Sequence, residues 1–281
     1  IGAREPRLKV SPFTAYTAIT GVLPGTLAAN TITSACSHKG RLYYASGTVI
    51  NYGTLGMIRG TMPAANVFDV QSLLDNQNIR RMFSVSGQSG TSNDALFAIF
   101  GTGGKVLVYA GDNPGAANWN LIGNYNVTSI RSVNCFVEVD GDIFVAGEDY
   151  CYWFKDLLQG DAQSAYANSP TRDIQNFWQA LAPNSCWYIQ SLDIIISMVV
   201  TGGTSPIHIE NWANYGRYTA VTDNYFGWIV YHKTLKCISF WAMPPSVTSC
   251  GGQEVDANGD GKNFYFLGSD RFGTDSSILK L

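Results

Sequence analysis

Asp256-Ala257-Asn258-Gly259-Asp260-Gly261 is the stretch of this sequence best suited to chemistry. Oxygen-bearing side chains at alternate positions, followed by a glycine, make the first half of a calcium loop. The second half departs from that pattern, with Phe264 at the ninth loop position and Leu267 where a bidentate Glu would stand. Asn258-Gly259 and Asp260-Gly261 are also favoured tight-turn pairs leading into a strand, and the turn is the preferred reading. Asp256, Asn258 and Asp260 remain the candidate metal ligands. Calcium is the one cofactor the sequence admits, and otherwise none is expected.

Other chemistry finds less support. The histidines are His38, His208 and His232, without H-E-x-x-H or H-x-H spacing. His38 and His232 lie beside lysines in turn-like segments, and His208 alternates with Ile207 and Ile209, so surface or structural roles are expected. Gly101-Thr102-Gly103-Gly104-Lys105 lacks the Gly-Lys-Ser/Thr ending of a phosphate loop and sits between two apolar runs, as a hairpin turn would. There is no G-x-S-x-G elbow. The chain is therefore read as non-enzymatic. A glycosidase would need paired carboxylates, whose separation a sequence does not reveal.

The elements that carry these residues are strands. Of 281 residues, 46% are hydrophobic, 13% aromatic and only 14% charged, and Gly numbers 29. That balance favours strands and turns over helices. The net charge is −3, with Lys and Arg scattered, so the dense basic stripe of a tight nucleic-acid binder is missing. The longest apolar run, Ile194 to Val200, is strand-sized and interrupted by Ser197, so no membrane span is expected. The six cysteines are widely spaced and form no C-x-x-C pair; buried thiols are the preferred reading, with disulfides, which an even count permits, as the alternative. Asn126-Val127-Thr128 fits a glycosylation acceptor, which matters only in a secretory pathway. The sequence opens on Ile1, as a processed product or a piece of a longer polypeptide would.

One short grammar recurs: a Gly or Asp turn, an apolar run, a second turn, another apolar run. It appears at Arg41–Ile50, Leu96–Tyr109, Asp142–Phe154, Leu192–Ile209, Trp228–Trp241 and Asn263–Leu281. In the fourth unit, Leu192–Val200 is expected to pair with Ile207-His208-Ile209. Six hairpins at blade-sized intervals predict an all-β fold, a β-propeller of about six blades in a single domain over 1–281. A β-sandwich or jelly roll is the alternative. Val67–Leu74, Tyr152–Leu158 and Arg172–Leu181 are expected to carry short helical insertions. In the last, Ile174, Phe177, Trp178 and Leu181 recur at helical spacing, as packing over a blade edge would require. Residues 1–31, rich in Thr, Ala, Pro and Gly, read as an extended arm or a strand closing the last blade. The tryptophans are expected to wedge between blades rather than form a ligand platform.

Gly103–Gly115 followed by Trp119-Asn120-Leu121-Ile122-Gly123-Asn124-Tyr125 resembles a pattern of propeller-type tail proteins of tailed bacteriophages. There a strand ending Val-Tyr-x-Gly leads through a Pro-containing turn to Trp-x-Leu-x-Gly-x-Tyr. Phe136–Asp149 is similar to that family's next blade, and Phe68–Leu74 to its Phe-Asp segment. The resemblance covers about residues 66 to 160, and where the family has Pro-Leu this chain has Cys151 to Phe154. It implies a structural virion protein, a nozzle, hub or virion-stabilising component made in the host cytoplasm and present in several copies around the tail axis. It further implies contact with other tail proteins and transient contact with passing DNA. A carbohydrate- or receptor-binding propeller and a propeller glycosidase are the alternatives.

Overall fold

The computed structural model describes residues 7–9, 16–18, 31–56, 62–85, 95–181, 183, 185–201, 225–243, 247–255, 261–269 and 276–280. These form an all-β chain of six antiparallel sheets. The chain divides into two compact units, Ile1–Val133 and Asn134–Leu281.

In the first unit, β1 (Arg7–Lys9) pairs with β2 (Tyr16–Ala18). A four-stranded sheet follows in the order β3 (Ser34–His38), β4 (Arg41–Ser46), β5 (Val49–Tyr52) and β6 (Val67–Asp69). The next four-stranded sheet is β7 (Ile79–Val85), β8 (Leu96–Gly101), β9 (Lys105–Ala110) and β10 (Asn120–Asn126). Each sheet is a meander, every strand pairing with its sequence neighbour, as in the blades of a propeller. The two sheets share one core in which Tyr43, Ile50 and Leu74 meet Phe97, Ile99 and Leu107, all at 0% exposure. The packing brings β3 beside β7, and the Met82 amide donates to Ser34 Oγ at 3.0 Å.

In the second unit, β11 (Phe136–Val139), β12 (Asp142–Ala146) and β13 (Cys151–Trp153) form a three-stranded sheet. Three short helices then follow, α1 (Phe154–Gln159), α2 (Ala162–Ala167) and α3 (Gln175–Leu181), with a 3-10 turn at Arg172–Ile174. The helices pack on this sheet, α1 against β12 and β13, α2 against β13. Trp178 of α3 is buried and donates its Nε1–H to the Gly147 carbonyl at 2.9 Å, while α3 itself packs against the strand Ile194–Thr201. A four-stranded sheet follows, β14 (Ser185–Ile189), β15 (Ile194–Thr201), β16 (Tyr225–His232) and β17 (Cys237–Met243), then a three-stranded one, β18 (Val247–Val255), β19 (Gly261–Ser269) and β20 (Ser276–Lys280). Here β11 lies beside β14, and the Cys186 amide donates to the Asn134 carbonyl at 2.8 Å.

Three expectations change. The partner of β15 is β16 over its full length, Ile194↔His232 to Thr201↔Tyr225, rather than 207–209, which lie outside the described residues. An eight-residue apolar run finds a partner of equal length, and the fourth and fifth hairpins thereby share one sheet. Val67–Asp69 is a strand and residues 71–76 are turns, so the helix expected there is absent; β6 instead completes its blade. β1 and β2 pair with each other, giving the arm a hairpin of its own.

Candidate functional site

Lys39 and Gly40 join β3 to β4 with φ of 42° and 73°, the backbone of a two-residue hairpin turn that glycine tolerates and lysine rarely adopts. The turn fixes His38, which is 1% exposed. Its Nε2 lies 3.2 Å from the Gly111 carbonyl and its Nδ1 2.8 Å from Ser84 Oγ. A carbonyl only accepts, so Nε2 carries the proton and Nδ1 accepts from the serine. Tyr43, Phe97 and Trp119 ring the imidazole at 6.1, 5.3 and 6.1 Å. Burial lowers the His38 pKa, so the ring is neutral near pH 7. Alongside, Lys39 pairs with Asp112 at 3.3 Å, and hydrogen bonds from Asn118 and Lys39 hold that carboxyl below its usual range. His38 is thus a clasp between two blades, buried where a turn residue was expected, and structural as expected.

Gly111 itself is obligatory, at φ 126° with the Asn118 carbonyl 2.3 Å from where a Cβ would stand. Trp119 stacks on Tyr109 at 5.1 Å and 11° and enters the core between the sheets. A Cβ on Gly123 would meet the Tyr125 ring at 2.5 Å, so the small residue makes room for the large one two positions on. The Val-Tyr-x-Gly and Trp-x-Leu-x-Gly-x-Tyr motifs therefore specify blade geometry.

The second unit gathers charge at its turns. Asp140 and Gly141, at φ 49° and 71°, join β11 to β12; Asp193, at φ 50°, precedes β15; Lys233 and Thr234 follow β16. Lys233 Nζ pairs with Asp140 and, at 3.4 Å, with Asp193. Asp193 also accepts from Thr234 Oγ1 and, at 2.9 Å, from the Tyr188 hydroxyl. The Thr234 hydrogen bond, with those of Tyr188 and Lys233, holds the Asp193 carboxyl below its usual range. Asp140 raises the Lys233 pKa, while burial and then Asp193 push the Tyr188 phenol up to about 12. Glycoside hydrolysis needs one carboxyl held protonated beside one ionised. Here Asp193 is held ionised by its donors, so it does not itself serve as the proton-donating acid.

Two carboxyls behave differently. Burial raises the pKa of Asp142 and of Asp156. Asp142 Oδ1 accepts from the Ile143 amide at 2.7 Å and the Lys155 amide at 3.1 Å. Trp153, the residue at the N-cap of α1, supplies no side-chain cap, and Asp142 serves in its place from across the sheet. Its environment is that of a helix cap.

Asp256, Asn258 and Asp260 lie outside the described residues, as do His208 and Trp212. Among the described residues no group of three or more His, Cys, Asp or Glu is placed to hold a metal. His232 Nε2 lies 3.0 Å from Ser239 Oγ. Cys135, Cys151 and Cys186 are buried thiols, Cys36 is a half-buried thiol, and Cys237 is an exposed one. The Lys233 cluster escaped the sequence reading because its members stand 40 and 93 residues apart. Their shared signal is position in a turn.

No family model and no curated protein sequence matches the chain. Among solved structures it is similar to Sqt1 of Saccharomyces cerevisiae, at 8% identity and TM-score 0.49, covering 92% of this chain and 62% of that one. The N-terminal domain of Nup159 gives 8% identity and 0.45, with 99% and 74% covered. Drosophila Semaphorin 1b gives 11% and 0.44, with 88% and 51% covered. The chain thus spans less than two thirds of the Sqt1 chain. The fold assignment stands on the meander sheets themselves.

Proposed function

We propose that this chain is a non-enzymatic structural protein of a bacteriophage tail, a nozzle- or hub-like propeller that holds neighbouring tail proteins around the tail axis. The supporting observation is that the tail-propeller motif residues Gly111, Trp119, Gly123 and Tyr125 each have a blade-building role. At turns in each of the two units, the titratable groups His38, Asp112, Asp193 and Lys233 are bonded to partners, which suits a scaffold better than an acid–base centre. A conduit for DNA also gains nothing from a dense basic lining, and the net charge of −3 fits that requirement. Among the described residues no helix is long and apolar enough to cross a membrane. Against a sugar-binding platform, Trp178 is buried and Trp119 packs into the core.

The test is particle composition. Mass spectrometry of purified particles should find this chain at a fixed multiple-copy ratio to the other tail proteins, and antibody labelling should mark the tail. Its absence from purified particles, or turnover of a glycoside abolished at one Asp or Glu, would overturn the proposal.

A further inference from the structure

Side chains stitch β3 to β7. The Met82 amide donates to Ser34 Oγ at 3.0 Å, and further along the same pair Ser84 Oγ donates to His38 Nδ1 at 2.8 Å. The far ring nitrogen, Nε2, donates to the Gly111 carbonyl at 3.2 Å. Gly111 sits at φ 126°, a backbone that side-chain-bearing residues rarely adopt, and the Tyr43 hydroxyl holds the next carbonyl, that of Asp112, at 3.4 Å. His38 is 1% exposed, whereas Ser84, near the end of β7, is exposed. An open hydroxyl, a neutral imidazole accepting from it and a third group fixing the imidazole are the parts of an activated serine. The bond that makes His38 a clasp also makes it a base. The other histidine–serine contact, His232 to Ser239 at 3.0 Å, has no carbonyl or carboxylate on its second ring nitrogen among the described residues.

We propose that Ser84 is an acyl-acceptor site, a nucleophile toward esters with His38 as its general base and the Gly111 carbonyl holding the imidazole in place. Ser84 Oγ bonds to the ester carbonyl carbon while its proton passes to His38 Nδ1. As the tetrahedral adduct collapses, the bond to the leaving oxygen breaks, that oxygen keeps the electron pair, and His38 gives it the proton. The products are an acylated Ser84, a neutral His38 and a free alcohol or phenol. One transfer fills the serine without turnover, so the site is one of covalent modification and leaves the structural reading of the chain intact. Charged groups reach His38 from two sides, Lys39 on its own turn and Asp112 from the loop after β9, and these pair with each other at 3.3 Å. With no net charge there to recruit an ion, an uncharged ester is the fitting donor. Of the other elements around the ring, β4 brings Tyr43, kept protonated by burial, and β8 brings Phe97. Burial is the largest influence on His38 and lowers its pKa from 6.5, so the base is ready at neutral pH.

The experiment treats the whole chain with p-nitrophenyl acetate and maps the acetyl group by peptide mass spectrometry over time. Ser84 should acquire it about a hundredfold faster than Ser239 or any other serine, which is the lower end of what a positioned base contributes. Ser84→Ala, a change at an exposed position, should remove that label and keep the thermal midpoint, while Ser239→Ala should leave the label in place. His38→Gln should slow labelling of Ser84 about a hundredfold. The pH profile of the unmodified protein gives the same answer without a variant. The Ser84 rate should be level at neutral pH and fall, with a midpoint below 6.5, as His38 takes up its proton. Acetyl spread over lysines and serines with Ser84 no faster than the rest overturns the proposal. So does a Ser84 rate that climbs steadily with pH without a plateau, or one that a folded His38→Gln variant leaves unchanged. The proposal does not rest on the tail role: Ser84 labelled in a protein missing from particles sinks that role alone.

Discussion

His38 and Lys233 each tie two blades together at a turn, and they do it with opposite chemistry. His38 is neutral, 1% exposed, and walled by Tyr43, Phe97 and Trp119. Lys233 is charged, its side chain 31% exposed, and held by carboxylates of which one, Asp140, is 65% exposed. The first arrangement makes hydrogen bonds in a place where losing a partner leaves buried polar atoms without water. The second makes ion pairs that water and salt can replace. The number of bonds at a junction does not set its worth; burial does.

His38→Ala should have the largest effect. It removes a buried ring and strips Ser84 and the Gly111 carbonyl of their partner, so urea unfolding should show a loss of about 2–4 kcal/mol. The pH dependence has a definite sign. Burial lowers the folded-state pKa of His38 from 6.5, so its stabilisation is present above that value and is lost as pH falls through the folded pKa. Asp193 is also lowered, from 3.8, and its contribution fades only at more acid pH. Unfolding free energy should therefore fall in two separated acid steps. His38→Gln, which cannot titrate, should abolish the upper one. An upper step that persists in that variant would sink the assignment of His38 as its source.

Asp142 gives an intermediate case. Asp142→Ala uncaps α1 and should cost about 1 kcal/mol. Asp142→Asn keeps an oxygen for the Ile143 and Lys155 amides while removing a charge that burial disfavours. Because the folded pKa is raised, the carboxyl's favourable contribution lies at low pH and is lost as pH rises through that pKa. Near pH 7 the Asn variant should therefore match or exceed the parent in thermal midpoint. A large loss in Asp142→Asn would mean that the negative charge itself is needed.

What the sequence displayed, and what it hid, follows the same division between local and distant. Turns written in neighbouring residues, such as Asp140-Gly141, were legible, because a positive φ selects residue types directly. The strands Arg41–Ser46, Leu96–Gly101 and Asp142–Ala146 were legible from their apolar runs between turns. The partner of β15 was not, since any apolar run downstream satisfies the pattern and only packing chooses among them. Val67–Leu74 looked helical, yet Val67–Asp69 is a strand, and Val70 and Leu74 are buried where the chain turns after it. His38 looked like a turn residue, and what buries it, Ser84 and Gly111, stands 46 and 73 residues away.

Lys233→Ala should produce the smallest effect. The pairs with Asp140 and Asp193 are partly solvated, and such pairs contribute at most about 1 kcal/mol. Salt separates this contribution from the others. At molar salt the screening length shrinks to about 3 Å, so the Lys233→Ala loss should vanish there while the His38→Ala loss stays. The Tyr188–Asp193 hydrogen bond of 2.9 Å remains in the Lys233 variant and limits the damage further. Equal losses for the two variants in high salt would show that the charged turns are as much a part of the fold as the buried imidazole.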